Sequence, residues 1–326
     1  MIKLLIGGSP CTYWSIAQKN NRETKAEGLG WELFKNYLIA KEKFKPDYFL
    51  YENNKSAAQE IKDQIKKELN VWDGTFLMQD SGARYIEINS ALVSAQNRQR
   101  FYVHNCGEVE QPKDRGIFLS DILQSGESLN EKSYALTASY NGAVAWNTIE
   151  RKQREMVAET IDLEDYTVDY RPYGNAFVKN IYEVKNGYIS IKDKQYEVNL
   201  PDGFYIIRKL TVTECCRLQT LPDDYCRVVS NAQAYKGLGN GWTAEVIIHI
   251  LSGALKNIPK HEKIVVLSMY DGIGTGRYCL DKMGFKNVEY HAYEIDKYAM
   301  EVAKSNYPDI IYHGDAFGVR SENWSL

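Results

Sequence analysis

Short apolar runs alternate along the chain with longer segments in which apolar residues recur every three or four positions. Apolar runs of roughly four to eight residues are typical of buried strands, and the longer periodic segments are typical of amphipathic helices. The predicted strands are Ile2 to Ile6, Asp47 to Tyr51, Ile264 to Leu267, Val288 to Tyr293 and Ile310 to His313. The clearest predicted helices are Trp31 to Lys43, a segment with Ile61, Ile65 and Leu69 on one side, and a segment with Val246, Ile247, Ile250, Leu251 and Leu255 on one side. This alternation indicates an α/β fold.

The first strand leads into Gly7-Gly8-Ser9-Pro10-Cys11, a turn that presents a thiol. In open α/β sheets, ligands bind at the edge where the strands have their carboxyl ends, and Cys11 lies just beyond such an end. The two glycines permit a tight bend and Pro10 fixes its own φ, so the turn can aim one side chain in a defined direction. A lone cysteine in such a place is more often a small buried hydrophobe. Cys11 is therefore a candidate nucleophile only if other parts of the sequence supply further residues of an active site.

A carboxylate and two guanidinium groups are predicted in comparable places. Glu52 follows the second strand and precedes Ser56-Ala57-Ala58-Gln59, which has the form of a capping box that opens a helix. Arg98 and Arg100 are two residues apart, and in a strand such residues point to the same face. Paired guanidinium groups can bind a carbonyl oxygen, a carboxylate or a phosphate. The alternatives are a carboxylate that only caps a helix and an exposed basic strand.

A glycine-rich turn follows the strand that begins at Ile264. Its sequence is Tyr270-Asp271-Gly272-Ile273-Gly274-Thr275-Gly276, and a helix is predicted to open near Arg277. Glycines there let the backbone approach a bound nucleotide closely at a helix N-terminus. Glu294 ends the next strand, where a carboxylate can bond both hydroxyls of a ribose. A glycine-rich turn alone is weak evidence, because it fits a dinucleotide-binding fold as well.

Length and composition change this picture little. The chain has 326 residues, of which 44% are hydrophobic and 25% charged, enough for two domains or for one large and one small domain. It has no apolar run of about eighteen residues, and its apolar start is too short for a signal peptide, so we expect a soluble cytoplasmic protein. The six cysteines include no C-x-x-C pair, so neither a disulfide framework nor a metal site is expected.

Residues 106–207 differ from the rest of the chain in being acidic, and they are rich in tyrosine towards their end. They hold 11 Lys and Arg against 17 Asp and Glu, within a chain of net charge −3. Any contact with nucleic acid here must therefore come from a local cluster of cations, such as Arg151, Lys152 and Arg154. Scattered Gly and Pro residues predict short strands and turns.

The segment from Ile16 to Gly30 is polar and carries Lys19, Arg22 and Lys25. Its place beside Cys11 predicts a mobile lid that closes on a substrate and contacts phosphates. A plain solvated loop is the alternative.

Several strings resemble the motifs of the DNA cytosine-5 methyltransferases. The Gly-Gly-Ser-Pro-Cys turn is similar to the nucleophile loop of that family, and Glu52-Asn53-Asn54 is similar to its Glu-Asn-Val segment, with Asn54 in place of Val. Gln96 to Arg100 matches its Gln-x-Arg-x-Arg motif. Arg208 to Gln219 matches its Arg-x-Leu-Thr-x-x-Glu-Cys-x-Arg-Leu-Gln signature, which few unrelated proteins would show; within it, Thr211-x-x-Glu214 is a capping box that predicts a short helix.

The resemblance implies a fold, a substrate and a cofactor. The fold is the class I S-adenosylmethionine-dependent methyltransferase fold, a doubly wound, mostly parallel sheet with a smaller target-recognition domain. Cys11 would attack carbon 6 of a cytosine flipped out of double-stranded DNA, Glu52 would hold ring nitrogen 3, and Arg100 would contact O2. Arg98 would orient this cluster. The residues implied to bind S-adenosylmethionine are Tyr270, Asp271, Gly272, Ile273, Gly274, Thr275, Gly276, Glu294, Ile295, Asp315, Ala316, Asn240 and Trp242.

The order of the motifs departs from the family. Most members begin with the cofactor turn, whereas here it follows the other motifs, at residues 270–276. The chain thus resembles a circular permutant, with a catalytic half (1–105), a target-recognition region (106–235) and a cofactor-binding half (236–326) joined through a linker at 256–263. Such a change is physically mild when the cut lies in a surface connection. In their residues, the motifs are most similar to those of the vertebrate de novo DNA methyltransferases.

Three other interpretations remain open. One branch of the family carries out the same chemistry on transfer RNA, and inactive relatives exist that could serve as DNA-binding partners. The joint presence of Cys11, Glu52, Arg98 and Arg100 argues against a silent homologue. A nicotinamide dehydrogenase is disfavoured because the glycines follow Gly-x-Gly-x-Gly and not the dinucleotide spacing.

Overall fold

The computed structural model describes residues 1–16, 22–72, 74, 80–162, 181–191 and 193–324. The middle of the predicted lid, including Lys19, and residues 163–180 of the tyrosine-rich stretch lie outside these ranges. The strands are β1 (Ile2–Gly7), β2 (Tyr48–Asn54), β3 (Arg84–Asn89), β4 (Gln96–Asn97), β5 (Gln99–His104), β6 (Glu127–Ser128), β7 (Ser133–Tyr134), β8 (Met156–Ile161), β9 (Ile181–Lys185), β10 (Tyr188–Ile191), β11 (Lys194–Glu197), β12 (Gly203–Lys209), β13 (Ile264–Met269), β14 (Val288–Tyr293) and β15 (Ile311–Tyr312). The helices are α1 (Gly28–Phe44), α2 (Gln59–Glu68), α3 (Ala145–Ile149), α4 (Val212–Leu218), α5 (Asn231–Asn240), α6 (Ala244–Leu255), α7 (Thr275–Lys282) and α8 (Lys297–Asn306). None of these helices is long and apolar enough to cross a membrane.

A seven-stranded sheet forms the centre of the fold, in the order β15-β14-β13-β1-β2-β5-β3. The five strands from β15 to β2 run parallel, and β5 is antiparallel to both of its neighbours. Strand β1 lies between β13 and β2, with Ile2 opposite Ile264 and Leu4 opposite Tyr48. The predicted α/β fold with a mostly parallel sheet is therefore confirmed, as are the five predicted strands to within a few residues.

Both faces of this sheet are covered, which explains the unbroken apolar runs in its parallel strands. Side chains alternate between the faces, so Leu4 and Ile6 of β1 join one core cluster and Leu5 joins the other. Helix α6 contributes its predicted apolar side to the first cluster. Helices α1 and α2 cover the opposite face, where Phe34 and Ile61 are fully buried.

A second sheet is drawn from residues between Glu127 and Lys209, in the order β11-β10-β9-β12-β8-β6. Its pairs are antiparallel, and it has a small core of its own that includes Ala158, Val184 and Tyr205. Short strands and turns were predicted for this region. Helices α4 and α5, which follow it, pack in the first core cluster and not in this small core.

Helix α1 begins at Gly28, earlier than the predicted Trp31. The carboxylate of Glu23 accepts hydrogen bonds from the backbone of Gly30 and from the indole of Trp14, both at 3.1 Å. A Cβ on Gly28 or Gly30 would lie 2.5 Å from an oxygen of that carboxylate. The two glycines therefore belong to the first turn of the helix, where a larger side chain would displace Glu23.

The capping box predicted at Ser56 is wrong. Helix α2 begins at Gln59 without a side-chain cap, because Ser56 lies in the preceding turn. There its backbone donates to Asn54 Oδ1 at 3.0 Å, and its carbonyl accepts from Arg22 Nη2 at 2.6 Å. The capping box at Thr211 and Glu214 does form and opens α4.

Candidate active site

A cavity of about 580 Å³ lies at the edge of the central sheet where β1, β2, β13 and β14 have their carboxyl ends. This is the edge at which open α/β sheets bind ligands. The cavity brings together residues from both groups singled out in the sequence. These lining residues are Cys11, Glu52, Arg98 and Arg100 from the first group, and Tyr270, Asp271, Gly272, Thr275, Glu294, Ile295, Asp315, Ala316, Asn240 and Trp242 from the second.

Three residues expected to bind a cofactor do not line the cavity. Ile273 is buried, and its carbonyl accepts a hydrogen bond from the hydroxyl of Tyr225 at 3.0 Å. A Cβ on Gly274 would lie 2.9 Å from Ala303 Cβ, and one on Gly276 would clash with Ile6 Cδ1. These two glycines therefore allow α7 to pack closely on its neighbours.

The turn that carries Cys11 is held from behind by buried polar side chains of β2. Cys11 opens a short 3-10 turn that ends at Tyr13. Asn53 Nδ2 donates to the carbonyl of Ser9 at 2.9 Å and to the hydroxyl of Tyr51 at 3.0 Å, and that hydroxyl lies 2.7 Å from Ser9 Oγ. Sequence reasoning missed this network. Its signal was a polar residue, Asn53, in a strand that is otherwise buried, because buried polar groups need partners.

Glu52 lies within β2 and not after it, and its carboxylate faces the cavity. Arg100 Nε is 2.9 Å from Oε1, and Trp242 Nε1 donates to Oε2 at 3.1 Å. The side chains of Glu52 and Arg100 are each only 12% exposed. The Glu52 carboxylate therefore does not cap helix α2, which excludes the alternative that this residue is only a helix cap.

Arg98 is buried and does not form an exposed basic strand. Its guanidinium donates to three backbone carbonyls, those of Leu136 at 2.9 Å, Gly239 at 3.1 Å and Gly241 at 2.8 Å. Burial, with repulsion from Arg100, lowers the pKa of Arg98 to about 9, while Glu52 and Cys11 act in the opposite direction. Arg98 therefore ties the strand of Arg100 to two other parts of the chain.

Glu294 and Asp315 are also held by backbone groups. Glu294 Oε2 accepts from the amide of Gly272 at 2.8 Å, and Oε1 accepts from the amides of Ile295 and Asp296, both at 2.8 Å. Asp315 Oδ1 accepts from the amide of Phe317 at 2.9 Å. These bonds fix both carboxylates at the cavity wall.

Residues 1–256 match the model of the C-5 cytosine-specific DNA methylase family. The chain belongs to this family. The chain is 27% identical over 274 residues to the type II methyltransferase M.SsoII of Shigella sonnei, and the aligned part covers 75% of this chain and 62% of the relative. It is 25% identical over 284 residues to M1.ScrFI of Lactococcus lactis subsp. cremoris, covering 80% of this chain and 64% of the relative. It is 28% identical over 262 residues to M.HpaII of Haemophilus parainfluenzae, covering 73% and 67%. The chain thus spans less than two thirds of the length of the first two relatives.

The part of the cavity lined by Asp271, Thr275 and Ile295 suits the nucleoside cofactor that the family uses. Among the described residues, Asp271 Oδ2 and Thr275 Oγ1 are buried without a hydrogen-bond partner, and both residues line the cavity. Gly272 has a φ of 63° and open space where a side chain would begin. Ile295, 71% exposed, and Phe317, 37% exposed, offer apolar surface for a flat ring. The cavity volume is also in the range of ligand sites.

Proposed function

We propose that this chain is a DNA cytosine-5 methyltransferase that uses S-adenosylmethionine and methylates carbon 5 of a cytosine flipped out of double-stranded DNA. One observation carries the proposal. A thiol, a carboxylate paired with a guanidinium, and a glycine-rich turn flanked by carboxylates line a single cavity. The relatives described above, named as type II methyltransferases, support the activity and a part in restriction–modification.

In this proposal, Cys11 is the nucleophile. Carbon 5 of cytosine is a poor nucleophile, and a bond from Cys11 Sγ to carbon 6 makes it electron-rich. When bound, S-adenosylmethionine supplies an electrophilic methyl group to that carbon. A base then takes the proton from carbon 5, the electron pair re-forms the ring double bond, and the Cys11 thiolate leaves.

Glu52 and Arg100 would act on charge that develops in the ring during attack. Glu52 holds or protonates ring nitrogen 3, and Arg100 stabilises negative charge at O2. Both groups are fixed before the base arrives, since they pair with each other at 2.9 Å. Arg98 keeps this cluster in place through its three carbonyl partners. None of the ring atoms is reachable in a stacked duplex, so the base must be flipped.

The acidic region with the second sheet would recognise the target. Its candidate cations are partly occupied by local contacts: Arg151 stacks over the ring of Trp146 at 4.1 Å, and Arg154 Nη1 donates to the carbonyl of Gly142 at 3.2 Å. Lys152 is exposed beside them. In this proposal the chain divides into a catalytic half (1–105), a target-recognition region (106–235), from which the second sheet is drawn, and a cofactor-binding half (236–326).

A circular permutation is the last part of the proposal. Numbering the strands from β13 onwards makes β13, β14, β15, β1 and β2 the first five, and the sheet order becomes 3-2-1-4-5, as in doubly wound sheets. The family match ends at residue 256, before the glycine-rich turn. Both facts support a rearranged order of otherwise ordinary parts. The relatives named above are bacterial, so the similarity to the vertebrate de novo enzymes stays a prediction.

The test is methyl transfer by the purified chain from tritium-labelled S-adenosylmethionine to duplex DNA, with transfer RNA as a second substrate. We expect label in DNA, and none with Cys11→Ala, which should still bind the cofactor in calorimetry. DNA containing 5-fluorocytosine should trap a covalent adduct through Cys11, and Cys106→Ala, a change at another cysteine, should still form it. Unchanged incorporation by Cys11→Ala, or label in RNA alone, would overturn the proposal.

A further inference from the structure

Trp242 touches two parts of the site at once. The residue lines the cavity, and its indole Nε1 donates to Glu52 Oε2 at 3.1 Å. The other carboxylate oxygen is 2.9 Å from Arg100 Nε. Each oxygen of Glu52 is therefore held by a donor from a different residue.

The indole is set in place by the backbone on both sides of it. The carbonyl of Gly241 accepts from Arg98 Nη2 at 2.8 Å. The hydroxyl of Thr243 donates to Gln219 Oε1 and receives a hydrogen bond from Ser90 Oγ, both at 2.9 Å. Thr243 and Ser90 are almost completely buried. Residue 242 thus lies between two anchored neighbours, which hold its backbone in place.

We propose that Trp242 is a positioning residue that acts on the reaction through Glu52 and does not act mainly by binding the cofactor. This inference rests on the proposed methyltransferase function, and it changes the role expected for Trp242 from the sequence. An indole N–H can donate but cannot accept, so it favours one orientation of an ionised carboxylate. The terminal torsion of a glutamate is otherwise broad, and a single partner, Arg100, would leave the carboxylate free to rotate.

If Trp242 acts through Glu52, its N–H affects the rate of methyl transfer and does not affect the affinity for the cofactor. Loss of the indole N–H leaves the ring in the cavity wall and leaves the contacts of Gly241 and Thr243 intact. The flipped cytosine would then meet a carboxylate in a wrong orientation for part of the time. The chemical step is slowed, whereas the affinity for the cofactor is unchanged.

The sharpest test replaces Trp242 by 3-benzothienylalanine, an isostere in which a sulfur atom replaces the indole N–H, alongside Trp242→Phe. The rate of single-turnover methyl transfer at saturating S-adenosylmethionine should fall about tenfold, as expected for one hydrogen bond to a charged group. The cofactor dissociation constant from calorimetry should change less than about twofold. The same isostere at Trp72 is the matched control and should leave the rate unchanged. Trp72 does not line the cavity, and the guanidinium carbon of Arg84 lies 5.0 Å from the centre of its ring.

Two results would overturn the inference. One is an unchanged single-turnover rate in the isosteric variant, and the other is a weaker cofactor affinity that accounts for the whole loss. Either result in a chain whose wild type methylates DNA leaves the proposed function standing. If the wild-type chain itself transfers no methyl group, the proposed function fails first, and the role of Trp242 fails with it.

Discussion

Asp271 carries a carboxyl group in the wall of the cavity. Its Oδ1 accepts hydrogen bonds from the hydroxyls of Ser268 and Tyr290, both at 2.7 Å. Its Oδ2 is buried and has no partner among the described residues. Burial raises the pKa of Asp271 to about 6, although the two hydroxyl donors act in the opposite direction. Asp271→Asn removes the charge and keeps the size of the side chain and an acceptor for these donors.

The effect on stability depends on pH, and its sign follows from the two pKa values. The pKa rises from a reference value of 3.8 to about 6 on folding, a difference of roughly 3 kcal/mol in proton binding. Because the folded-state pKa is the higher one, the stability contributed by protonation is complete below about pH 4 and is lost as pH rises through 6. Between about pH 5 and about pH 8, the wild type should lose about 1.4 kcal/mol relative to Asp271→Asn.

Urea unfolding of both proteins at these two pH values, followed by circular dichroism and by fluorescence, measures this difference. Tyr290→Phe, which removes one of the two hydroxyl donors, should enlarge the pH dependence of the chain that keeps Asp271. If the stability difference between wild type and Asp271→Asn is the same at both pH values, the carboxyl group is not desolvated as the structure indicates.

Two further substitutions test how the site is built. Gly239→Ala would place a methyl group against the backbone of Thr137 and Ala138, so we expect a loss of about 1–3 kcal/mol and a lower melting temperature by calorimetry; an unchanged melting temperature would contradict this packing. Asn53→Ala removes the donor that holds Ser9 and Tyr51, so covalent capture of 5-fluorocytosine DNA through Cys11 should slow by roughly tenfold while cofactor affinity is kept. Equal capture rates would show that the network does not position the thiol.

The strands and the position of the site could be predicted because both depend on local pattern. Parallel strands buried on both faces leave continuous apolar runs, and the residues just beyond β1, β13 and β14 include Cys11, Asp271 and Glu294. Parallel strands have their carboxyl ends at the same edge of a sheet, so a parallel arrangement predicts that these three residues lie at one edge. The cavity confirms that they share it.

Contacts between distant parts of the chain could not be predicted in this way. The three carbonyl partners of Arg98 lie at Leu136, Gly239 and Gly241, and no spacing in the sequence connects them.

The glycines at 274 and 276 looked like ligand-binding positions, but the side chains that exclude a Cβ come from Ala303 and Ile6. The start of α1 likewise depended on Glu23, whose role as a partner of Gly30 and Trp14 follows only from the folded backbone.

The pairing of Ile2 with Ile264 has a consequence for how this protein folds. Strand β1 leaves the ribosome before β13, one of its two neighbours in the sheet, because β13 lies much later in the sequence. Contacts between residues so far apart in sequence close large loops, and proteins rich in such contacts fold slowly. Until β13 arrives, β1 presents an unpaired apolar edge, which favours aggregation. We therefore expect the yield of native protein to depend on chaperones and on the speed of synthesis more than on the final stability of the fold.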